Sequence, residues 1–155
     1  MTQYQAQPPH PVIRFPRRLG ALLYDTLVLA ALWMAATVPL MAITGGEAIT
    51  GGVVWLFRLY LLVIAGAFFG WFWTHGGQTL GMRAWRAKLE TGDGQAVNWR
   101  QAGLRFLAVL LSIACGGLGY LWALADSDRL TWHDRLSATR VVVTSVEDME
   151  RPARA

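Results

Sequence analysis

An arginine and an aspartate in the first apolar stretch are the residues best suited to chemistry inside a membrane. Arg18 and Asp25 lie seven positions apart in RRLGALLYDTLVLAALW. On an α-helix they share nearly the same face, about 10 Å apart along the axis, which is too far for a tight ion pair by backbone position alone. An unpaired carboxylate inside a membrane costs on the order of a few kcal/mol. Asp25 must therefore face other helices or a wet cavity, meet a cation, or carry a proton.

Asp25 has two interpretations on this basis. In the first it is an ion or proton site, and it meets a proton, a transported cation or a group from a neighbouring subunit. In the second it belongs to a structural polar lock and bonds to Arg18, Arg105 or a backbone group. The sequence leaves both interpretations open.

A second polar cluster lies near the end of the chain, in TWHDRLSATRVVV. His133, Asp134 and Arg135 are adjacent, so on a helix they point in different directions and do not form one site by themselves. A His-Asp pair without a third ligand is a poor metal motif, and the cluster lacks the nucleophile and base of a catalytic triad. Asp134 is interpreted as a charge at a helix N-terminus or as half of a buried salt bridge.

Two glycines flank a polar pair in the third motif, GQTLGMR. Its spacing is not that of a phosphate-binding loop. The motif predicts a turn that packs tightly against the inner ends of the helices, formed by Gly77, Gln78, Thr79 and Gly81.

The composition places these residues in a membrane protein. The 155 residues are 54% hydrophobic and 15% charged and include eight tryptophans, whereas soluble domains carry about 25% charged residues. The net charge of +4 comes from basic residues beside apolar segments. It therefore predicts orientation in a bilayer and argues against nucleic-acid binding. The single Cys115 excludes an intrachain disulfide, and without metal or cofactor motifs we expect neither an enzyme nor a bound cofactor.

The fold class expected is an all-α membrane protein with two spanning helices and a third apolar segment. Residues 19–43 and 53–73 are each long enough to cross a hydrocarbon core of about 30 Å. The length of the first segment and its Asp25 argue against a cleaved signal peptide. Gly66 and Gly70 form a GxxxG pair, which favours helix packing within the monomer over dimerisation.

The third apolar segment, residues 103–125, carries the glycine-rich CGGLG in its middle. Glycines make a turn easy there, and the two halves are too short to span separately. The segment therefore crosses once, crosses twice, or re-enters as a hairpin sheltered by other helices.

Short patterns of period two predict a small cap that contains strands. One lies in RAWRAKLETGDGQ and the other in residues 139–144. Three arginines lie at the N-terminal end of the first helix and four basic residues in the second linker, whereas the first linker has no basic residue. By the positive-inside rule this predicts a cytoplasmic N-terminus and a cytoplasmic cap. If the C-terminal arm, the chain after residue 125, also lies on the cytoplasmic side, the two strands can pair. A single crossing by the third segment would place this arm outside and prevent the pairing. Residues 1–15 are predicted to be a disordered tail and residues 146–155 a polar one.

Four motifs follow one another along about residues 15–145: Arg18-x-x-Ala21-x-x-x-Asp25, GQTLGMR, DGQ and HDRLSATRVVV. In this order they resemble the RDD family of small bacterial membrane proteins, named for one arginine and two aspartates. The resemblance assigns those residues to Arg18, Asp25 and Asp134, in a domain of residues 16–145. TWHDRLS departs from the more usual leucine and glycine around the last motif but keeps Asp134. The resemblance implies a multi-pass protein of the bacterial inner membrane, with transport as the proposed role and cation/proton exchange in some members.

The sequence supports two functions. In a transport component for a cation, a proton or a small ligand, Asp25 is the titrating or cation-binding acid, Arg18 its partner and Asp134 a second acid at the cytoplasmic mouth. Since two or three helices rarely enclose a pathway, this function requires a homo-oligomer or a larger membrane complex. In a non-transporting scaffold or assembly partner, the same three residues with Arg105 form a structural polar network.

Overall fold

The computed structural model of this chain describes residues 11–144. Helix α1 (Phe15–Ile43) and helix α2 (Val53–Thr74) are both long and apolar enough to cross a membrane. They form an antiparallel pair, in which the Trp33 indole donates to the Leu61 carbonyl at 2.9 Å and the Tyr60 hydroxyl to the Ala36 carbonyl at 3.2 Å. Most of their remaining side chains are exposed and apolar, as expected for a surface that faces lipid.

The third apolar segment is bent. Helix α4 (Trp99–Ala114) is capped at its N-terminus by Asn98, whose side chain accepts from the Gln101 amide in a capping box. It is followed by α5 (Leu118–Leu121) and a single 3-10 turn (Trp122–Leu124), which run at 108° to it. Gly116 and Gly117 make the bend at φ of 67° and 83°, in the left-handed region that favours glycine.

The two predicted strands pair into a small antiparallel sheet. Strand β1 (Ala87–Thr91) and strand β2 (Thr139–Val143) align Ala87 with Val143 and Thr91 with Thr139. Between β1 and α4 the chain turns tightly, and the short helix α3 (Leu80–Ala84) precedes β1 while α6 (Trp132–Leu136) precedes β2. An Arg140–Glu90 ion pair joins the strands, with Nη2 to Oε1 at 2.8 Å.

Residues just before α1 pair with the free edge of β2 and so extend this sheet. The Ile13 amide donates to the Val141 carbonyl and the Val143 amide to the Pro11 carbonyl, both at 3.0 Å, and Ile13 is buried. The disordered tail predicted for residues 1–15 therefore does not extend over residues 11–13. Its residues 1–10, and the polar tail predicted for residues 146–155, lie outside the described part of the chain.

The sheet joins three segments that are far apart in the sequence. Its strands come from the N-terminal flank, the second linker and the residues after the third apolar segment. Because these strands are hydrogen-bonded to one another, the third apolar segment starts and ends near the same sheet. It is bent by 108°, so residues 103–125 do not form one straight helix.

The main core lies where the sheet meets the first turns of α1 and the last turn of α2. Its buried apolar members come from both strands, from four of the helices and from the loops beside them: Ile13, Ala21, Trp73, Met82, Ala87, Leu89, Val97, Ala102 and Val141. This core holds the polar residues of α1, α4 and α6 at fixed positions.

Candidate functional site: a buried Arg-Asp-Arg cluster beside Asp25

Asp134 lies between two arginines in the protein interior. One Nη1–H of Arg18 donates to Oδ2 of Asp134, and Nη1 of Arg105 donates to Oδ1 at 2.7 Å. The Asp134 side chain is 0% exposed, and those of Arg18 and Arg105 are nearly as buried. The three residues therefore form a compact ion cluster, which we call the RDR cluster, that ties α1 and α4 to α6.

The same carboxylate also caps helix α6. Its Oδ2 accepts from the Thr131 amide at 3.0 Å, while the Thr131 hydroxyl accepts from the Asp134 amide at 3.2 Å. Asp134 thus satisfies both of its sequence interpretations at once, as a charge in the first turn of a helix and as half of a buried salt bridge. The spacing of Thr131 and Asp134 is a capping-box pattern, which is a local sequence signal for the role of Thr131.

Further polar groups hold Arg105 in place. Its Nη1 also donates to the Thr139 hydroxyl at 2.8 Å, which lies 2.7 Å from the Ser137 hydroxyl. The Trp73 ring lies 5.4 Å from the guanidinium carbon, within cation–π range. The RDR cluster is therefore linked to α2 and to β2 as well.

The electrostatics of α6 follow from this cluster. Burial alone raises the pKa of Asp134, but the positive charges of Arg105 and Arg18 outweigh it and hold that pKa below its ordinary value. For the neighbouring His133, burial and the charge of Arg105 together lower the pKa from 6.5 to about 3. His133 is 1% exposed, packs on the Tyr120 ring, and its Nδ1 has no hydrogen-bond partner among the described residues. The imidazole is therefore neutral at physiological pH.

The lowered pKa of His133 predicts that acid lowers the free energy of unfolding. Between pH 6.5 and 3 the unfolded chain carries a proton on His133 that the folded protein excludes, so stability falls with pH by up to about 1.4 kcal/mol per unit. The contribution of Asp134 has the same sign and is lost at lower pH, below its ordinary pKa of 3.8. The measurement is the thermal unfolding midpoint in detergent between pH 7 and pH 4.

The control for this prediction compares two histidines. His133→Gln is expected to flatten the decline, whereas His75→Gln, at the exposed end of α2, is expected to leave it unchanged. An identical slope in the wild type and His133→Gln would contradict the assignment.

Asp25 does not join the RDR cluster through hydrogen bonds. Its Oδ2 accepts from the Thr79 hydroxyl at 2.5 Å and its Oδ1 from the Gly81 amide at 2.8 Å. Neither Arg18 nor Arg105 donates to it, so the partnership of Arg18 with Asp25 suggested by their shared helix face is not formed. Arg18 turns instead to Asp134, which lies 116 residues away in sequence.

The GQTLGMR motif supplies both hydrogen-bond donors to Asp25. Thr79 caps α3, accepting from the Met82 amide at 3.2 Å while it donates to Asp25. Gly81 lies so close to α1 that a Cβ atom there would be 2.3 Å from the Ala21 carbonyl oxygen. The sequence predicted a tight turn against the helix ends but did not identify the Thr79 hydroxyl and the Gly81 amide as the donors.

The first half of the motif contacts the sheet. The Gly77 carbonyl accepts from the Leu89 amide at 2.7 Å, and the Gln78 side chain donates to the Ala87 carbonyl, also at 2.7 Å. Gly77 has a φ of +71°, and a Cβ atom would approach the Leu89 oxygen to 2.4 Å. The motif therefore connects α1 to β1 through backbone contacts that larger residues would block.

The remaining predicted site residues lie outside the cluster. Arg135 points outward and pairs with Asp126 at 2.6 Å and Asp128 at 3.2 Å. Gly66 and Gly70 face α4, where Cβ atoms would be 3.3 Å from the Phe106 ring and 2.9 Å from the Trp99 ring.

A cavity of about 80 Å³ separates Asp25 from the RDR cluster. Its polar lining consists of Arg18, Asp25, Arg105, Tyr120 and His133, and the rest of the wall is apolar. The RDR cluster alone carries a net charge of +1, which an ionised Asp25 across the cavity balances. Among residues 11–144 no group of three or more His, Cys, Asp or Glu side chains is arranged to hold a metal ion.

Two apolar helices long enough to cross a bilayer, a bent third segment and a buried ion cluster define a small integral membrane protein. The family model described as the RDD family matches residues 14–138, and the chain belongs to this family. The matched region contains Arg18, Asp25 and Asp134. No curated protein and no solved structure matches the chain.

Proposed function

We propose that this protein is a component of proton-linked transport in the bacterial cytoplasmic membrane and that Asp25 takes up and releases the proton. One observation carries the proposal. Of the acids buried within residues 11–144, Asp134 and Glu90 bond to arginine side chains, whereas Asp25 accepts only from the neutral Thr79 and Gly81 and lines a cavity. Its charge therefore depends on what enters the cavity.

The chemistry of the cavity favours a proton over a metal cation. Arg18 and Arg105 lie in its wall, and their positive charges repel a cation that approaches Asp25. A volume of about 80 Å³ admits water, which needs roughly 10–15 Å³ per molecule by the same measure. Water in contact with Asp25 is sufficient to exchange a proton.

The pattern of basic residues supports a cytoplasmic location for the sheet. Arginines lie just before and in the first turn of α1 and in the linker from α2 to α4, while residues 44–52 between α1 and α2 contain no basic residue. By the positive-inside rule the N-terminus and both strands then face the cytoplasm. The exposed apolar faces of α1 and α2 offer contacts to further copies or to a larger membrane complex, which would be needed to enclose a pathway.

Asp25→Asn tests the proposal. An asparagine at position 25 can still accept from Gly81 through its oxygen and donate to the Thr79 hydroxyl through its amide, so the fold is expected to persist. Purified protein in liposomes that contain a pH-sensitive dye is expected to carry a proton flux that this variant lowers at least about tenfold, with a thermal midpoint close to that of the wild type. The matched control, Asp128→Asn, removes an exposed acid and should leave both quantities unchanged.

A second candidate function is a scaffold that transports nothing. It is favoured because the carboxylate oxygens of the site already have hydrogen-bond donors. Both oxygens of Asp25 accept hydrogen bonds, and both oxygens of Asp134 pair with arginines. Under this function Asp25→Asn lowers the thermal midpoint and the recovery of membrane partners, and wild-type liposomes carry no more proton flux than liposomes without protein. That pair of results would contradict the transport proposal.

A further inference from the structure

A basic cleft lies at the N-terminus of α1, and Asp25 is not part of its lining. It has a volume of about 360 Å³ and is formed by the first turn of α1, the 3-10 turn and the loop that follows it. Its charged lining consists of Arg14, Arg18, Arg129 and Asp126. Arg14 and Arg129 are exposed, and neither forms an ion pair among the described residues.

The helix end increases the positive potential of the cleft. Arg14 is the N-cap of α1 but contributes no side-chain hydrogen bond, and the first turn contains no acid. The free amide groups at the start of a helix carry a partial positive charge that attracts anions. Arg14 and Arg129 at the same end add to this positive potential, which a bound anion would offset.

Arg18, which lines the cleft, has one nitrogen without a partner. Its side chain is 4% exposed, and while its Nη1 is bound to Asp134, its Nη2 has no acceptor among residues 11–144. A buried guanidinium nitrogen without an acceptor is destabilising, and an oxygen that reached Arg18 from the cleft would remove that cost.

The one acid in the cleft does not supply that acceptor. Oδ1 of Asp126 accepts from Arg135 at 2.6 Å and Oδ2 from the Leu130 amide at 2.9 Å. Both oxygens of Asp126 are therefore engaged by other groups, and within residues 11–144 no acid pairs with Arg14 or Arg129.

We propose that this cleft binds the phosphate group of an anionic phospholipid. Arginine side chains and helix N-termini are the groups that bind phosphate oxygens in proteins. The cleft opens where a membrane-spanning helix begins, and Leu19 and Leu124 beside it are 50% and 64% exposed. A lipid whose phosphate fills the cleft would lay its acyl chains along these leucines.

The test compares lipids that differ only in charge. The full-length protein in detergent is mixed with phosphatidylglycerol or with phosphatidylcholine of the same chains, and retained lipid is counted by native mass spectrometry. We expect the wild type to retain phosphatidylglycerol preferentially. The double variant Arg14→Gln/Arg129→Gln is expected to bind it at least about tenfold more weakly, a loss of the size expected for one charge-assisted hydrogen bond or more.

The control is Arg100→Gln, which removes an equally exposed charge from the first turn of α4 and should retain the lipid. Since Arg14 and Arg129 are exposed, the lipid-free thermal midpoint of the double variant should match that of the wild type, which separates loss of binding from loss of folding.

Two results would overturn the proposal. One is equal retention of phosphatidylglycerol by the wild type and the double variant. The other is a rise in thermal midpoint with inorganic phosphate that the double variant abolishes, without any charge preference among lipids, which would assign the cleft to free phosphate.

Discussion

Asp134→Asn is expected to destabilise this protein by about 3–5 kcal/mol, the usual result of removing one partner from a buried ion cluster. The substitution leaves Arg18 and Arg105 buried with two positive charges and no counter-ion in direct contact. It also turns the capping group of α6 into a neutral amide. Thermal unfolding in detergent and the yield of monodisperse protein are the measurements.

Asp128→Asn is the matched control, because Asp128 is 64% exposed and its pairing with Arg135 is at the surface. Exposed pairs contribute roughly 0–1 kcal/mol, so its thermal midpoint should change little. The triple variant Arg18→Met/Arg105→Met/Asp134→Leu removes all three charges together. It should recover much of the stability, since well-packed apolar residues often replace a buried ion cluster at little cost. A loss with the triple variant as large as with Asp134→Asn would contradict the view that unpaired charge is the cause.

Gly81→Ala is expected to cost about 1–3 kcal/mol or more, as overpacking generally does. The added methyl would lie 2.3 Å from the Ala21 oxygen and 2.9 Å from the Asp25 carboxylate. Neither neighbour can move freely, since one is helix backbone and the other is held by the Thr79 hydroxyl. We therefore expect α3 to shift away from α1, with a lower thermal midpoint and, under the transport proposal, a reduced proton flux.

Gly103→Ala provides the comparison for this substitution. Gly103 lies within α4, and a Cβ atom there would meet nothing within 4 Å. Alanine is favoured over glycine inside a helix by about 1 kcal/mol, so this variant should be as stable as the wild type or more stable. A Gly81→Ala protein that behaves like Gly103→Ala would show that the contact between α3 and α1 is not tight.

Local signals predicted the elements of the fold. The apolar lengths gave α1 and α2, the glycines at 116 and 117 marked the bend, and period-two patterns gave β1 and β2. Pairing of those strands was predicted conditionally, on the C-terminal arm lying on the same side as the second linker. The structure forms the pair, and the order of basic residues already favoured that arrangement.

The partners of the charged residues could not be predicted in the same way. Arg18 and Asp25 share a helix face but lie about 10 Å apart along its axis, so local geometry indicates that Asp25 needs another partner without identifying it. Their actual partners are brought close only by the tertiary fold, with Arg18 meeting Asp134 from 116 residues away and Asp25 meeting Thr79 from 54 residues away. Helix periodicity contains no information about contacts of that range. The glycines of GQTLGMR did indicate a close contact with another part of the chain, but not that the contacting elements are α1 and β1.

The central position of β2 in the sheet has a consequence for biosynthesis. This strand pairs with β1 on one edge and with residues 11–13 on the other, and Asp134 precedes it by a few residues. The ribosome therefore makes α1, α2 and α4 before it makes the strand that joins their ends or the carboxylate that neutralises Arg18 and Arg105. During that interval the nascent chain holds two arginines without their counter-ion, and the unpaired edge of β1 is open to other chains. A ribosome that stalls before Asp134 would therefore leave a chain that has neither its central strand nor the counter-ion of Arg18 and Arg105.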